Sequence, residues 1–364
     1  MASALAHVPW EPCFVEPKID RALENYARRR MGLPNGAVRY FSPAPWVVRA
    51  AVDLQPAFGL LMHLEQRTAD LIGLVVSQEN ACRFCFAAVR AVLWFQGMDR
   101  QRILHVEQEV TRADLPAKTR AAIEYARAQS RSGPAAAHAA WRAMRTAGVG
   151  LEEAREVAMA VALSDFLNRL HTALAIPPLP MERMPEQWPL RLLRPLFERI
   201  VRAHSRRGTA APQADERPDL PYARLVRAYA GSPIGPVLAR TLEEMLASPH
   251  LTRRCKLLMF GVISRGLPCE MCELEISAAL QREGLDAAAV AHALTHLDGP
   301  QLEPLERLLM SFARETLWYQ PVVLQRHTRA LAAQLKPEQL IEAVGVASLA
   351  NGVCRMAAVV ITES

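Results

Sequence analysis

Apolar residues recur every three or four positions along most of the chain, a spacing that predicts amphipathic helices. The pattern is clearest over residues 121–129, 135–147 and 152–174, where the good helix formers Ala, Leu, Arg and Glu dominate. No segment keeps the strict alternation of apolar and polar residues that is typical of a strand. We therefore predict an all-α fold.

Several landmarks in the chain return after a nearly constant interval. The segment Cys82-Arg83-Phe84-Cys85 has a counterpart 187 positions later, Cys269-Glu270-Met271-Cys272, and Pro134 has Pro321 at the same interval. Arg169 has Arg355 after 186 positions. A fixed interval across separate landmarks is the signature of an internal repeat. The sequence therefore predicts two tandem copies of one helical domain.

The interval and the composition together predict four segments. Residues 1–40 form an N-terminal extension, 41–176 the first repeat, 177–218 a proline-rich linker and 219–364 the second repeat. Within the linker, apolar residues at helical spacing alternate with arginines, which predicts an amphipathic helix packed on its own domains.

Composition narrows the class of protein. The 364 residues are 51% hydrophobic and 22% charged, which is typical of a folded globular chain. The net charge is +6, but only four of the 43 basic residues are lysine and the arginines alternate with acids, so we expect no nucleic-acid partner. No apolar run suffices to span a bilayer and the first ten residues lack a secretory pattern, so we expect a cytoplasmic protein without a membrane partner.

Two C-x-x-C pairs carry the candidate chemistry. Residues three apart on a helix share a face, so the two sulfurs of each pair come within disulfide reach. A cysteine at the start of a helix also meets the positive end of the helix dipole, which lowers the pKa of its thiol. We expect Ser77 or Asn80 to cap the helix that begins near Cys82. This arrangement is typical of a dithiol that cycles with a disulfide.

These residues carry a resemblance to a known family. The segment from Ser77 to Cys85, followed by a helix that ends in Asp165-Phe166-Leu167-Asn168-Arg169, resembles the alkylhydroperoxidase D-like proteins of the carboxymuconolactone decarboxylase superfamily. The second copy repeats the layout and ends in Asn351-Gly352-Val353-Cys354-Arg355. The resemblance implies an all-helical fold that forms homo-oligomers. It also implies a thiol-dependent peroxidase that reduces a hydroperoxide and is regenerated by a dithiol reductant.

The resemblance further implies a role for each cysteine. The second cysteine of a pair attacks the peroxide, and the first then closes the disulfide. Carried over by position, Cys85 attacks and Cys82 resolves, and the equivalents in the second copy are Cys272 and Cys269.

The family's proton relay carries over only in part. The relay uses a glutamate about twelve residues before the first cysteine and a histidine four residues after the second. Asp70 stands at the acid position of the first copy, and the remaining relay positions hold apolar residues: Leu257, Val89 and Ile276. Asp70 is thus the predicted relay acid, and both copies lack the family histidine. Since general-base help is typically worth about 10²–10⁴-fold, its loss weakens the predicted activity.

Local charge favours the first pair. Arg83 lies between the two cysteines of the first pair and favours a thiolate, whereas Glu270 and Glu273 crowd the second pair and disfavour one. We therefore expect the first copy to be redox-active and the second to be its structural partner.

Other interpretations stay open. The chain is a non-catalytic duplicated scaffold if the cysteines are remnants, or a metal protein if the two pairs form a Cys₄ zinc site. A lactone decarboxylase is a further possibility within the superfamily, but that branch does not rely on a cysteine pair. No glycine-rich phosphate loop follows a strand, so we predict no organic cofactor.

The remaining chemistry-bearing residues have structural interpretations. Asp165 and Arg169, four apart on one helix, are expected to pair with each other. Trp141 and Trp318 are expected to fill cores. The three single cysteines are expected to be small buried residues: Cys13, Cys255 and Cys354.

Overall fold

The computed structural model describes residues 5, 7–31, 35–55, 59–108, 114–131, 133–178, 195, 199 and 221–362. The described residues form 17 helices and no strand, which confirms the all-α prediction. The predicted linker helix lies mainly outside the described residues.

Nine helices lie before the linker. They are α1 (Arg21–Met31), α2 (Val38–Phe41), α3 (Pro45–Asp53), α4 (Gln66–Glu79), α5 (Arg83–Phe95), α6 (Arg100–Gln108), α7 (Ala117–Arg131), α8 (Pro134–Thr146) and α9 (Leu151–Ala173).

Eight helices follow the linker. They are α10 (Ala223–Ala228), α11 (Ile234–Ala247), α12 (Arg253–Gly266), α13 (Glu270–Arg282), α14 (Ala287–His296), α15 (Pro304–Glu315), α16 (Pro321–Ala332) and α17 (Pro337–Val360).

The bounds of the helices recur between the two halves. Helices α4 and α12 begin 187 positions apart, at Gln66 and Arg253, and end 187 positions apart, at Glu79 and Gly266. The same interval relates α5 to α13, α7 to α15 by their first residues, and α8 to α16 by theirs. The two halves therefore have the same helical order, and their origin as copies of one domain stays a prediction.

Helices α9 and α17 form the centre of the molecule and pack against each other along much of their length. Both helices are buried on nearly all sides, which explains why each has apolar residues on all of its faces instead of in one stripe. Gly352 permits the close approach, because a Cβ there would lie 2.6 Å from the carbonyl oxygen of Ala162. By length and composition α17 is apolar enough to cross a membrane, yet 94% of its apolar window is buried inside the protein.

Each central helix carries one buried glutamate, and the two are satisfied differently. Glu156 on α9 accepts the backbone N–H groups that precede α4, from Met62 (2.7 Å), His63 (2.9 Å) and Leu64 (2.6 Å). Its counterpart Glu342 on α17 accepts the N–H of Leu251 at 3.0 Å, the counterpart of Leu64. Glu342 also pairs with the buried ammonium of Lys256 at 2.8 Å.

The halves exchange equivalent contacts. Helix α8 packs on α17 of the other half, and α16 packs on α9. The Nε of Arg169 donates to the carbonyl oxygen of Thr316 at 3.2 Å, and Nη1 of Arg355 donates to that of Gln129 at 3.1 Å. Because Arg169 and Arg355 hold matching positions in the helical order, as do Thr316 and Gln129, the two contacts are reciprocal, as in an isologous interface.

The structure decides several local predictions. Asp165 and Arg169 pair at 3.2 Å, and Trp141 is buried, as predicted. The prediction for Trp318 was wrong: its side chain is 61% exposed because it lies on the connection between α15 and α16, outside the core. Of the three single cysteines, Cys255 and Cys354 are buried and Cys13 is half-buried.

The predicted cap of α5 was also wrong. Ser77 lies inside α4 and donates its hydroxyl to Asn168, while Asn80 ends α4 and donates to Asp165. The residue at the N-cap position of α5 is Cys82 itself. Both polar side chains are therefore used to hold α4 on α9 instead of capping the next helix.

Candidate functional site

The first cysteine pair sits at a tight turn between α4 and α5. Ala81 has a left-handed backbone with φ 48°, and the N–H of Cys82 donates to the carbonyl oxygen of Ser77 at 2.9 Å. The N–H of Ala81 donates to the carbonyl oxygen of Gln78 at 2.9 Å, which completes a Schellman motif at the end of α4. The turn delivers Cys82 directly to the first turn of α5.

A buried polar cluster fixes this turn against α9. Asp165 accepts hydrogen bonds from Asn80 (2.9 Å) and Ser130 (3.0 Å) and pairs with Arg169. A buried carboxylate is tolerated when donors and an opposite charge surround it. Asp165 and Arg169, which belong to the segment that resembles the family, thus hold the cysteine turn against α9.

The environment of Cys82 favours its thiolate. Burial works to raise the pKa of Cys82, but the Cys85 thiol, the backbone N–H groups of Cys85 and Phe84, and the Thr172 hydroxyl outweigh burial and lower this pKa below its usual range. The charge of Arg83, which the sequence pointed to, is not among these causes; its guanidinium turns to the carbonyl oxygen of Val8 at 3.4 Å. Hydrogen-bond donors around Cys82, and not the charge of Arg83, therefore favour the Cys82 thiolate.

Cys85 faces a histidine that the sequence analysis missed. Burial and the adjacent Cys82 raise the pKa of Cys85 well above its usual range. Its Sγ lies 3.7 Å from Nδ1 of His171 on α9, and that Nδ1 lies 2.7 Å from the carbonyl oxygen of Leu167. The carbonyl contact assigns the ring proton to Nδ1, and this N–H is donated to Leu167, so the sulfur receives only the longer branch of a shared hydrogen bond. Burial lowers the pKa of His171 to about 4, so the ring is neutral near pH 7.

Aromatic rings and the N-terminal segment surround this histidine. The ring of Phe84 stacks on His171 with centroids 4.1 Å apart, and Phe41 meets it edge-on at 5.4 Å. Cys82 is fully buried and Cys85 is 8% exposed. Residues before α1 run along this region: Trp10 donates to Ile176 at 3.1 Å and the N–H of Phe14 donates to Leu174 at 3.2 Å. Cys85 is thus the sulfur nearer to solvent.

The second half contributes one side chain to the first cysteine pair. The hydroxyl of Tyr319 contacts the hydroxyl of Thr172 and donates to the carbonyl oxygen of Asn168 at 2.8 Å. Thr172 in turn interacts with Cys82. Burial, followed by the charge on Cys82, raises the pKa of Tyr319 well above its usual range, so the phenol keeps its proton.

The structure does not bring Asp70 to the cysteines. Its carboxylate accepts hydrogen bonds from Gln66 at 3.1 Å and from Gln96, the residue that ends α5. Since a helix rises about 1.5 Å per residue, the eleven positions between Cys85 and Gln96 place Asp70 about 16 Å from the thiols along α5. Burial raises the pKa of Asp70 to about 6, against these two hydrogen bonds, which lower it.

The second cysteine pair is closed. Cys269 and Cys272 form a disulfide at the start of α13, and both residues are buried. The N–H of Cys269 donates to the carbonyl oxygen of Ser264 at 3.0 Å, just as Cys82 does to Ser77. Glu273 forms an ion pair with Arg265 on α12. The two turns therefore share the same backbone hydrogen bond, but Cys82 and Cys85 are free thiols and Cys269 and Cys272 form a disulfide.

His171 was not predicted as a site residue because it lies on α9, far from the cysteine pair in sequence. The family position, Val89, lies instead beside Gly73 on α4. The available signal was the periodicity of α9: His171 lies three positions after Asn168, on the face that already carries the site residues.

No group of three or more His, Cys, Asp or Glu side chains that could hold a metal occurs among the described residues, so the two cysteine pairs do not form a common zinc site there. Comparison with protein-family models, curated proteins and solved structures finds no match. The functional interpretation therefore rests on the geometry of the site.

Proposed function

We propose that the first half of the protein is a thiol-dependent hydroperoxide reductase that cycles between the Cys82–Cys85 dithiol and its disulfide. The observation that carries the proposal is the lowered pKa of Cys82 beside the protonated thiol of Cys85 at the start of one helix. A thiolate next to a thiol is the resting state that a disulfide-forming reaction needs. The resemblance to alkylhydroperoxidase D-like proteins supports the same chemistry.

The proposed reaction begins with a proton transfer inside the pair. Cys85, the more exposed residue of the pair, passes its proton to the Cys82 thiolate and attacks the terminal oxygen of the hydroperoxide. This transfer runs against the order of the two pKa values, so only a small fraction of the protein carries the reactive Cys85 thiolate at any moment. The O–O bond breaks, the alkoxide takes up a proton from solvent and leaves as the alcohol, and Cys85 becomes a sulfenic acid. The thiol of Cys82 then displaces water from that sulfenic acid, which forms the Cys82–Cys85 disulfide. In sum, the dithiol is oxidised by two electrons and the peroxide is reduced to alcohol and water.

His171 supplies the polar contact that the missing family histidine would have given. Its neutral ring N–H is shared between the carbonyl oxygen of Leu167 at 2.7 Å and Cys85 at 3.7 Å, and the longer branch gives modest stabilisation to negative charge on that sulfur during the attack. The ring is held in place by Phe84 and by the carbonyl oxygen of Leu167. Asp70 was the predicted relay acid, but its distance from the thiols favours a structural role in this half.

Regeneration requires a dithiol reductant. Attack by its thiolate on the Cys82–Cys85 disulfide gives a mixed disulfide, and its second thiol then releases the reduced pair. Cytoplasmic location and a homo-oligomeric state stay predictions.

The experiment uses cumene hydroperoxide as the oxidant and dithiothreitol as the reductant. We expect the full-length protein to consume peroxide, and Cys85→Ser to lower the rate at least 100-fold because the attacking sulfur is gone. The matched variant Cys272→Ser opens the second pair and is expected to keep the rate within twofold. Equal rates for Cys85→Ser and the unaltered protein would refute the proposal.

A non-catalytic scaffold is the second candidate, and the burial of both first-half sulfurs favours it. It predicts no peroxide consumption above that of dithiothreitol alone. The same assay therefore separates the two candidates.

A further inference from the structure

A cavity of about 400 Å³ lies between the two halves. One wall comes from the connection between α7 and α8, and the opposite wall from the connection between α15 and α16 together with the end of α17. Gly266 and Leu267, which lead into Cys269, close a third side. The volume falls within the range of roughly 300–1,000 Å³ that is typical of small-molecule sites.

The charged residues that line this cavity are both arginines, Arg131 and Arg355. Nη1 of Arg131 donates to the carbonyl oxygen of Tyr319 at 2.8 Å. Arg355 donates to the carbonyl oxygens of Gln129 and Leu317 at 3.1 and 3.2 Å. Neither guanidinium forms an ion pair with a carboxylate in the part of the chain that the structure describes. The cavity is thus positively charged.

The repeat explains why Arg355 lacks a counter-ion. In the first half, Arg169 pairs with Asp165 one turn earlier on α9. The counterpart of Arg169 is Arg355, but the counterpart of Asp165 is Asn351, whose amide donates to Thr316 and to the carbonyl oxygen of Ala347. The second half has therefore kept the buried guanidinium and carries a neutral side chain where the carboxylate would stand.

Buried polar atoms without protein partners point to a ligand. Both polar side-chain atoms of Gln129, a cavity residue that is 2% exposed, lack a hydrogen-bond partner among the described residues. The Nε of Arg355 is also buried without one. Burial and the positive charge of Arg169 lower the pKa of Arg355 to about 10, and the more distant carboxylate of Asp165 offsets this only in part. Such groups are normally satisfied in a folded protein.

We propose that this cavity binds a small molecule that carries a carboxylate on an apolar body. The carboxylate lies against the guanidinium of Arg355 from the cavity side, and the amide of Gln129 donates to it. The apolar body lies on side chains from both connections and from the segment before the second disulfide: Pro134, Leu267, Leu317 and Trp318. This site is independent of the proposed peroxidase chemistry.

The test uses octanoate as the probe, with octanol and octylamine as compounds that share the chain but not the negative charge. Calorimetric titration of the full-length protein is expected to show octanoate binding, and at least tenfold weaker binding of the other two. Trp318, which lines the cavity, gives a second signal through its fluorescence. Absence of octanoate binding, or equal binding of octanol, would overturn the proposal.

Variants locate the site. Arg355→Met keeps an unbranched apolar stem and removes the guanidinium charge, and it is expected to weaken octanoate binding at least tenfold. Asn351→Asp restores the internal carboxylate of the first half and is expected to weaken binding to a similar extent, while it keeps the buried arginine for folding. Arg326→Met, at an exposed arginine away from the cavity, is expected to leave binding unchanged. Unaltered octanoate affinity in a folded Arg355→Met or in Asn351→Asp would refute the assignment.

Discussion

The two cysteine turns share a backbone but differ in what the central helix presents to them. Around Cys82 and Cys85, α9 supplies His171 and Thr172. At the counterpart positions α17 carries alanines, Ala357 and Ala358, and the pair beside it is a disulfide. The helix hairpin therefore brings two sulfurs together in each half, and only the first pair has polar side chains of the central helix beside it among the described residues.

The same contrast holds for the buried charges. The first half satisfies Glu156 with backbone N–H groups and pairs Arg169 with Asp165. The second half satisfies Glu342 with Lys256 and leaves Arg355 without a carboxylate. Matching positions in the two halves thus have different electrostatic partners.

The largest effect is expected at the buried ion pair of the second half. Lys256→Met leaves the carboxylate of Glu342 without its cation, and we expect a loss of about 3–5 kcal/mol in the free energy of unfolding, measured with urea. The first half has Ala69 at the counterpart position, so an apolar residue fits there. The double variant Lys256→Met/Glu342→Gln should recover most of the loss. A single variant as stable as the unaltered protein would contradict this reading of the pair.

Asp70 gives a pH-dependent effect that its counterpart Leu257 lacks. The folded pKa of about 6 lies above the unfolded value of about 3.8, so the protonated carboxyl stabilises the fold at low pH. As pH rises from about 4 to about 6, this stability is lost, and two pKa units correspond to about 3 kcal/mol. Asp70→Asn should remove this part of the pH dependence of urea unfolding.

The same Asp70→Asn variant also tests the predicted relay. Because Asp70 lies at the opposite end of α5 from the thiols, we expect the rate of peroxide consumption to stay within twofold. A large loss of rate at unchanged stability would support the relay role that the family resemblance implied.

His171→Phe keeps a ring against Phe84 and removes the N–H that faces Cys85. Because this N–H is shared with the carbonyl oxygen of Leu167, we expect a contribution of about 0.5–1.5 kcal/mol and a fall of about threefold to tenfold in the peroxide rate. The pH at which Cys85 reacts should also rise, measured by alkylation with iodoacetamide in the Cys82→Ser background. An unchanged rate and an unchanged alkylation profile would show that the histidine only fills space.

The smallest effect is expected at Thr172. Thr172→Val removes the hydroxyl that helps lower the pKa of Cys82, so that pKa should rise. Alkylation of Cys82 by iodoacetamide at neutral pH, measured in the Cys85→Ser background, should then slow by about twofold to fivefold. Thr328→Val is the matched control, because that buried hydroxyl bonds only to the carbonyl oxygen of Leu324 on its own helix. Equal effects in both variants would contradict a specific role for Thr172.

Periodicity was enough to predict the helices, because buried faces impose a spacing that the sequence must keep. The segments predicted at 135–147 and 152–174 begin and end within one residue of α8 and α9. Ser77 and Asn80 were misassigned because a cap and a tertiary hydrogen bond use the same residue types, and only the packing of α4 on α9 separates them. Trp318 was misplaced for a similar reason, since a large apolar side chain on a connection also suits a cavity wall.

The site itself was only partly predictable. The C-x-x-C spacing and its place at a helix start come from local sequence, and so they were predicted. His171, Thr172 and Tyr319 reach the thiols from distant positions, and no interval along the chain encodes such a meeting. Arg83 was expected to favour a thiolate because it lies next to the cysteines in sequence, but its guanidinium hydrogen-bonds to the carbonyl oxygen of Val8.

The central claim is that the first pair responds to peroxide and the second does not. The most direct test treats the reduced full-length protein with one equivalent of cumene hydroperoxide, blocks the remaining thiols and maps the linked cysteines by mass spectrometry. We predict a Cys82–Cys85 disulfide that appears with peroxide and disappears with dithiothreitol. Cys82 and Cys85 recovered as free thiols, with oxidation confined to Cys269 and Cys272, would contradict the claim.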